Sequence, residues 1–406
     1  MYTLAIYLYA ALVWLAALFN KKARLLVRGH CRTFSILKAR IRGQDRVVWF
    51  HAASLGEFEQ GRPLIERLKK ECPHLHILLT FFSPSGYEVR HDYPHADTVC
   101  YLPFDTPANA RRFVRLAHPE VAVFIKYEFW ENYLKALRRT PARVYSVSTI
   151  LRPNQYFFRP WGSPRALRLF HHFFVQDERT RQLLAGVGIR CATVTGDTRF
   201  DRVLAIAKQA AHLLRVAQFV HGHPTLVAGS SWEGDEDIYI PYFAQHPDWR
   251  LIIAPHVVSP ARLQALERRL QGRHVVRYSA LSASPPPPDA DVLLIDCYGL
   301  LSSIYRHGQV AIVGGGFGNG IHNVPEAAVY GLPVLFGPNN RRSREAQDLL
   351  RLGAAFQFTD AASFAHAMDA LVADPQARLR AGHVAGQYIR DHAGASDACF
   401  RAIFLQ

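Results

Sequence analysis

A chain of 406 residues is too long for one ordinary hydrophobic core and fits two domains. Its composition, 49% hydrophobic and 20% charged with no long low-complexity tract, excludes a disordered or fibrous protein. The formal charge of +15 favours an anionic partner: nucleic acid, an anionic membrane face or a phosphorylated substrate. The six cysteines are scattered without a C-x-x-C pair, so neither a zinc knuckle nor a dithiol site is visible. A reduced cytosolic environment is the simpler assumption.

The chain opens with an uncharged apolar run, Tyr2 to Phe19, expected to be a membrane-anchor helix over residues 1–20. As a helix it is just long enough to cross roughly 30 Å of hydrocarbon. Lys21, Lys22, Arg24, Arg28, Arg32, Lys38, Arg40 and Arg42 follow at once and would keep the next domain cytoplasmic. A cleavable signal would carry its cations before the apolar run, not after it. Packing on its own domain, or lying in the interface through Tyr2, Tyr7, Tyr9 and Trp14, are the alternatives.

Beyond this run, short apolar strands alternate with amphipathic helices. Strands are expected at Val47–His51, His76–Phe82, Val121–Tyr127, Arg143–Val147, Phe173–Gln176 and Thr193–Gly196. A second series follows at Thr225–Ser230, Arg250–Ala254, Val275–Tyr278, Val292–Asp296, Val310–Val313 and Leu332–Phe336. Such alternation predicts parallel sheets covered by helices on both faces. Two series, divided by a helical stretch from about Arg202 to Phe219, predict two Rossmann-like α/β domains facing a central cleft, at 21–205 and 206–406.

Ligands of such sheets bind beyond the carboxyl ends of strands. Three loops there carry chemistry. In His51-Ala-Ala-Ser54-Leu-Gly56-Glu57, Gly56 would permit a tight helix entry and Glu57 would lie in the first turn, where the dipole favours an ionised carboxylate. That carboxylate could take a proton from an attacking hydroxyl; equally, Ser54 and Glu57 could form only a capping box. In Lys126-Tyr-Glu128-Phe-Trp130, Glu128 follows an apolar strand and is read either as a functional acid or as a helix-start acid. The third loop, Gly314-Gly-Gly-Phe-Gly318-Asn-Gly320-Ile-His322-Asn323-Val324-Pro325-Glu326, offers backbone N–H groups and a helix start near Pro325 to a phosphate, with Glu326 available to ribose hydroxyls. It fits neither G-x-G-x-x-G nor a Walker A pattern, so a dinucleotide cofactor is poorly supported. Asp235-Glu-Asp237 is D-x-D-like, but at a helix start first-turn acids are the better explanation, and no catalytic metal or other cofactor is expected.

The order of these motifs resembles that of the 3-deoxy-D-manno-octulosonic acid (Kdo) transferases. The runs that carry the resemblance are His51–Gln60, Glu128-Phe-Trp, Gly196-Asp-Thr-Arg199-Phe-Asp201 and His322-Asn323 through Glu326-Ala-Ala. Tyr101-Leu-Pro-Phe-Asp105, Ala254-Pro-His256 and Gly331–Pro338 support it. The resemblance implies a GT-B fold and inverting, metal-independent transfer of Kdo from CMP-Kdo to a lipid A precursor (lipid IVA). The expected place is the cytoplasmic face of the inner membrane, against its anionic surface. It implies Glu57 as general base, with Ser54 and Gly56 in the acceptor loop, and Glu128 and Arg199 as transition-state stabilisers. It places the nucleotide near Pro255, His256, Tyr298, Gly299, Leu300, Asn323, Val324, Pro325 and Glu326. The chain departs from the family pattern in four places: Arg199 replaces a lysine, Leu300 a glutamate and Trp232 a histidine, and Pro325 is shifted by one residue. The rivals are a GT-B enzyme using a UDP-sugar for another envelope glycolipid, and a non-catalytic membrane-tethered lipid A binder. Nucleic-acid binding is disfavoured, because the cationic excess adjoins the apolar run and no recognition helix stands out.

Overall fold

The computed structural model describes residues 2–209, 213–282 and 284–405. The chain forms two compact units, Met1–Arg202 with Ala393–Gln406, and Val203–His392. The first is built on a seven-stranded parallel sheet: β1 (Val47–Ala52), β2 (His76–Phe81), β3 (Thr98–Tyr101), β4 (Pro119–Ile125), β5 (Arg143–Thr149), β6 (His172–Val175) and β7 (Ala192–Val194). Its order is β3-β2-β1-β4-β5-β6-β7. The second unit holds β8 (Thr225–Ser231), β9 (Arg250–Pro255), β10 (Val275–Arg277), β11 (Val292–Leu294), β12 (Val310–Val313), β13 (Val334–Phe336) and β14 (Ala355–Gln357), in the order β10-β11-β9-β8-β12-β13-β14.

The strands are largely apolar because both faces of each sheet are covered by helices. In β1, Val47 and Trp49 enter one core with Leu78, Phe124 and Val144. Val48, Phe50 and Ala52 enter the opposite core with Leu79, Val123 and Val147. The second sheet repeats the plan, with Leu226, Ala228, Leu251, Ile253, Val310 and Ile312 in one shared core. The sequence reading omits two strands, β3 and β14, of four and three residues.

In both sheets the chain starts in the middle, fills one side, then crosses to the other. The crossing lies between β1 and β4 in the first unit and between β8 and β12 in the second. A crevice opens outside the carboxyl ends of strands at such a point.

Two expectations need correction. The helix of the apolar run covers Tyr2–Ala16, not residues 1–20, and the next helix, Lys21–Arg40, leaves at 119°. Asn20 causes the break, accepting the backbone N–H groups of Lys22 and Ala23. Arg24 then donates to Ala17 O and Leu18 O, two carbonyls that the first helix leaves unpaired. Among the described residues no single helix is long and apolar enough to cross a membrane. Second, the end of the chain, expected within 206–406, lies in the first unit. The helix Ala395–Phe404 puts Cys399, Phe400 and Ile403 into that unit's core, and Asp201 accepts the N–H groups of Gly394 and Ser396. The expected helical stretch from about Arg202 to Phe219 is present as the helices Thr198–Gln209 and Leu214–Val220, with 210–212 outside the described residues.

Candidate active site

The loops at the first crossing carry both predicted acids. After β1, Ser54 precedes the helix Leu55–Glu71 and Glu57 occupies its first turn. The Ser54 hydroxyl makes no capping bond to the backbone; it donates to the Glu57 carboxylate. The pair is therefore not a capping box, and Ser54 orients Glu57 instead. Gly56 has no left-handed backbone, and a Cβ there would meet only Ser54 Oγ, at 3.8 Å. Its expected part in turning the chain falls away, and the glycine leaves the face beside Glu57 open.

After β4, Lys126 adopts φ +62°, a conformation costly for a residue with a Cβ. It is held by its N–H to Val147 O and by the Ser146 hydroxyl on its carbonyl. The turn presents Tyr127 and then Glu128, which lies in a loop three residues ahead of the helix Glu131–Leu137, not in its first turn. The Trp130 indole N–H reaches Glu128 Oε2 at 2.8 Å and His51 Nε2 at 3.0 Å. His51, fully buried, meets Thr80 Oγ1 through Nδ1 at 2.9 Å, and Thr80 also accepts the Trp49 indole N–H. With Nε2 accepting, the neutral ring carries its proton on Nδ1, and Thr80 can give its own to Phe50 O.

Arg199 sits at the start of the helix Thr198–Gln209. Buried Asp197 accepts its backbone N–H at 2.9 Å and its Nε at 2.8 Å, fixing one edge of the guanidinium. The three predicted catalytic residues meet electrostatically at Tyr127. Burial and then the Glu57 carboxylate push this phenol above its ordinary range; Glu128 adds to the rise, while Arg152 and Arg199 oppose it.

In the second unit, loops after β8, β9 and β12 contribute Trp232, His256 and His322. Their rings stack: Trp232 on His256 at 4.6 Å between centroids, and His256 on His322 at 4.4 Å. Together with Glu233, Gly234, Phe317, Asn319 and glycines of the 315–320 loop they line a pocket of about 520 Å³, within the usual range for small-molecule sites. Buried Asp235 ties the loops together, its Oδ2 accepting the N–H groups of Trp232 and Gly315. Burial pushes the Asp235 carboxyl up, and those two N–H groups restrain the rise. Glu236 pairs with Arg262 at 2.5 Å and Asp237 with Arg269, so the D-x-D-like acids serve the protein itself. No group of three or more potential metal ligands occurs among the described residues.

Of the predicted nucleotide residues, only His256 lines this pocket. Pro255 ends β9. Tyr298 is exposed and accepts the Val258 N–H at its hydroxyl, joining the loops after β9 and β11. Gly299 takes φ +90°, which glycine tolerates, and Leu300 precedes a four-residue helix. Asn323 donates to Glu326 at 2.7 Å, and Val324 and Pro325 are buried. The helix they begin has only five residues, so it offers a phosphate little of the expected dipole.

A family model described as 3-deoxy-D-manno-octulosonic-acid transferase (kdotransferase) matches residues 29–202. The 3-deoxy-D-manno-octulosonic acid transferase of Bordetella pertussis is 29% identical over 372 residues, covering 86% of this chain and 85% of its own. That of Chlamydophila psittaci is 28% identical over 339 residues, covering 79% and 76%. In sequence the chain is thus similar to Kdo transferases. Its fold is also that of the UDP-GlcNAc 2-epimerase from Neisseria meningitidis, with a TM-score of 0.63 at 14% identity, covering 89% of this chain and 100% of that one. Two parallel seven-stranded Rossmann-like sheets and this likeness make the fold GT-B.

Glu57, Glu128 and Arg199 all act electrostatically on Tyr127, to which the sequence reading gives no role. Arg152 escapes it too. The signal for Tyr127 is positional: it directly precedes Glu128 at the end of a strand flanking the crossing. Trp232 and His322 are visible in sequence as a departure and as part of a motif, but their stacking is not.

Proposed function

We propose that this protein is a Kdo transferase that moves Kdo from CMP-Kdo to a hydroxyl of a lipid A precursor, with Glu57 as general base. The observation that carries the reading is that Glu57 and Glu128 follow β1 and β4, the strands flanking the crossing of the first sheet, and that both act with Arg199 on the Tyr127 phenol. Glu57 accepts the acceptor's hydroxyl proton as that oxygen bonds to the anomeric carbon of Kdo. The bond from that carbon to the CMP phosphate oxygen breaks on the opposite side, so configuration inverts and CMP leaves with the electron pair. Glu128 and Arg199 stabilise charge as it develops. The donor nucleotide is assigned to the second unit's pocket and the acid–base chemistry to the first unit.

No step requires a metal, which agrees with the internal engagement of Asp235, Glu236 and Asp237. Work at the cytoplasmic face of an inner membrane is supported by the exposed apolar stripe Leu4, Leu8, Leu12 and Leu15 and the exposed Lys21, Lys22, Arg28 and Arg32 beyond it.

The test incubates purified enzyme with CMP-Kdo and a tetraacylated lipid A precursor and weighs the products, with UDP-sugars offered in parallel. Mass gain by Kdo units from CMP-Kdo alone is expected. Transfer from a UDP-sugar instead, or lipid binding without transfer, would overturn the reading.

A further inference from the structure

We propose that Trp232 is a positioning residue of the second unit's pocket, holding His322 as a neutral imidazole with its proton on Nδ1. The Trp232 indole Nε1 lies 3.0 Å from His322 Nε2. An indole nitrogen only donates, so Nε2 must present its lone pair, and the ring's proton is left on Nδ1. The two rings are within 7° of parallel, and the His256 imidazole stacks on both. The bond is thus made edge to edge by rings whose planes are already fixed.

The backbone around the pair is equally constrained. Asp235 anchors the Trp232 backbone and Gly315 through one carboxylate oxygen. Gly315, at φ +96°, lies so close to His322 that a Cβ there would stand 3.0 Å from the ring and 2.6 Å from Gly320 O. The His322 N–H closes the loop onto Gly314 O. Burial, and then the neighbouring His256, also disfavour a charged His322.

The consequence concerns how the pocket meets an anion. Among the described residues that line it there is no lysine or arginine. A phosphodiester there would be met by neutral N–H donors: the loop amides of Gly316, Phe317 and Asn319, since those of Gly315, Gly318 and Gly320 serve the loop itself, and the Nδ1–H that Trp232 dictates. A histidine free to turn over would offer its lone pair to the same anion half the time. This role deepens the donor assignment and rests on it, but the tautomer itself does not.

The experiment uses full-length enzyme labelled with 15N-histidine, and long-range proton–nitrogen spectra of wild type and Trp232→Phe, which keeps a stacking ring but loses the N–H. In wild type, His322 Nε2 should be unprotonated and Nδ1 protonated, and adding CMP should shift these resonances. In W232F a mixed tautomer should appear, and KM for CMP-Kdo should rise about tenfold, as for one lost hydrogen bond, with kcat changed less than about threefold. A wild-type His322 protonated on Nε2 overturns the proposal, whatever the variant does. So does a folded W232F with wild-type tautomer and KM. CMP that leaves His322 unmoved removes the pocket from donor binding, and transfer from CMP-Kdo in the product assay would then stand without it.

Discussion

The Trp130 indole gives its N–H to the Glu128 carboxylate at 2.8 Å. Because the same N–H also faces buried His51, 3.0 Å away, the tryptophan links an acid of the site to the centre of the sheet. Glu128 Oε2 lies 3.5 Å from His51 Nε2, so both acceptors compete for one proton. Trp130→Phe keeps the ring but leaves two acceptors facing each other. We expect kcat to fall about tenfold, and stability by about 1–3 kcal/mol for the unpaired buried nitrogen. Steady-state kinetics with a urea titration would check both; unchanged kcat would remove Trp130 from Glu128's positioning.

Ser54 and Glu57 separate two roles that the S-x-x-E spacing confuses. Since the hydroxyl makes no capping bond, Ser54→Ala should shift stability by less than about 0.5 kcal/mol, below the usual cost of losing a cap. Its kcat should nevertheless fall several-fold, because the carboxylate loses its hydroxyl partner. Glu57→Gln should fold normally and lose about 10²-fold or more in kcat. Equal melting temperatures with graded turnover are the pattern expected; a destabilised S54A with normal turnover would restore the capping reading.

The sequence was legible where a signal is local and opaque where partners are remote. Strand–helix alternation located twelve of the strands, and the crossing points follow from their order. Glu57 and Glu128 could be found because each directly follows a strand. The return of Ala395–Phe404 to the first unit could not, since it depends on Asp201 receiving N–H groups nearly two hundred residues away. The end of the first helix is different again: it stops at Ala16, whereas hydropathy alone extends the apolar run to Phe19.

His30 should make the first unit sensitive to acid. It is buried against Phe82, Tyr101 and Phe104, and neither ring nitrogen has a hydrogen-bond partner among the described residues. Burial lowers its pKa from 6.5 to about 3. Between those values the unfolded chain binds a proton that the folded one refuses, so stability falls as pH falls. The slope for the group alone is about 1.4 kcal/mol per pH unit below 6.5. Denaturant titrations from pH 7.5 to 5 should show a shallower loss in His30→Leu than in wild type; parallel curves would mean that His30 is accessible to protons when folded.

The first helix should attach to a membrane surface without crossing it. Fifteen residues span about 22 Å, short of the roughly 30 Å of a hydrocarbon core. Its two sides are also committed differently. Ile6, Tyr9, Ala10 and Val13 turn toward Phe82, Leu26 and Phe104, and Tyr2 donates to Asp105 at 2.6 Å, tying the helix to its own unit. Leu4, Leu8, Leu12 and Leu15 form an exposed stripe at helical spacing, with exposures of 59–65%. Full burial of one leucine contributes about 1.5–3 kcal/mol, so replacing Leu4, Leu8 and Leu12 with serine should weaken vesicle binding by at least about 10²-fold. Replacing Lys21, Lys22 and Arg28 with glutamine should matter only on anionic phosphatidylglycerol vesicles, and less as salt rises. The wild-type protein should be released from vesicles by alkaline carbonate, which strips surface-bound proteins but not spanning ones. Retention through that wash would mean that Tyr2–Ala16 leaves the side of its unit and straightens with the following helix into a span.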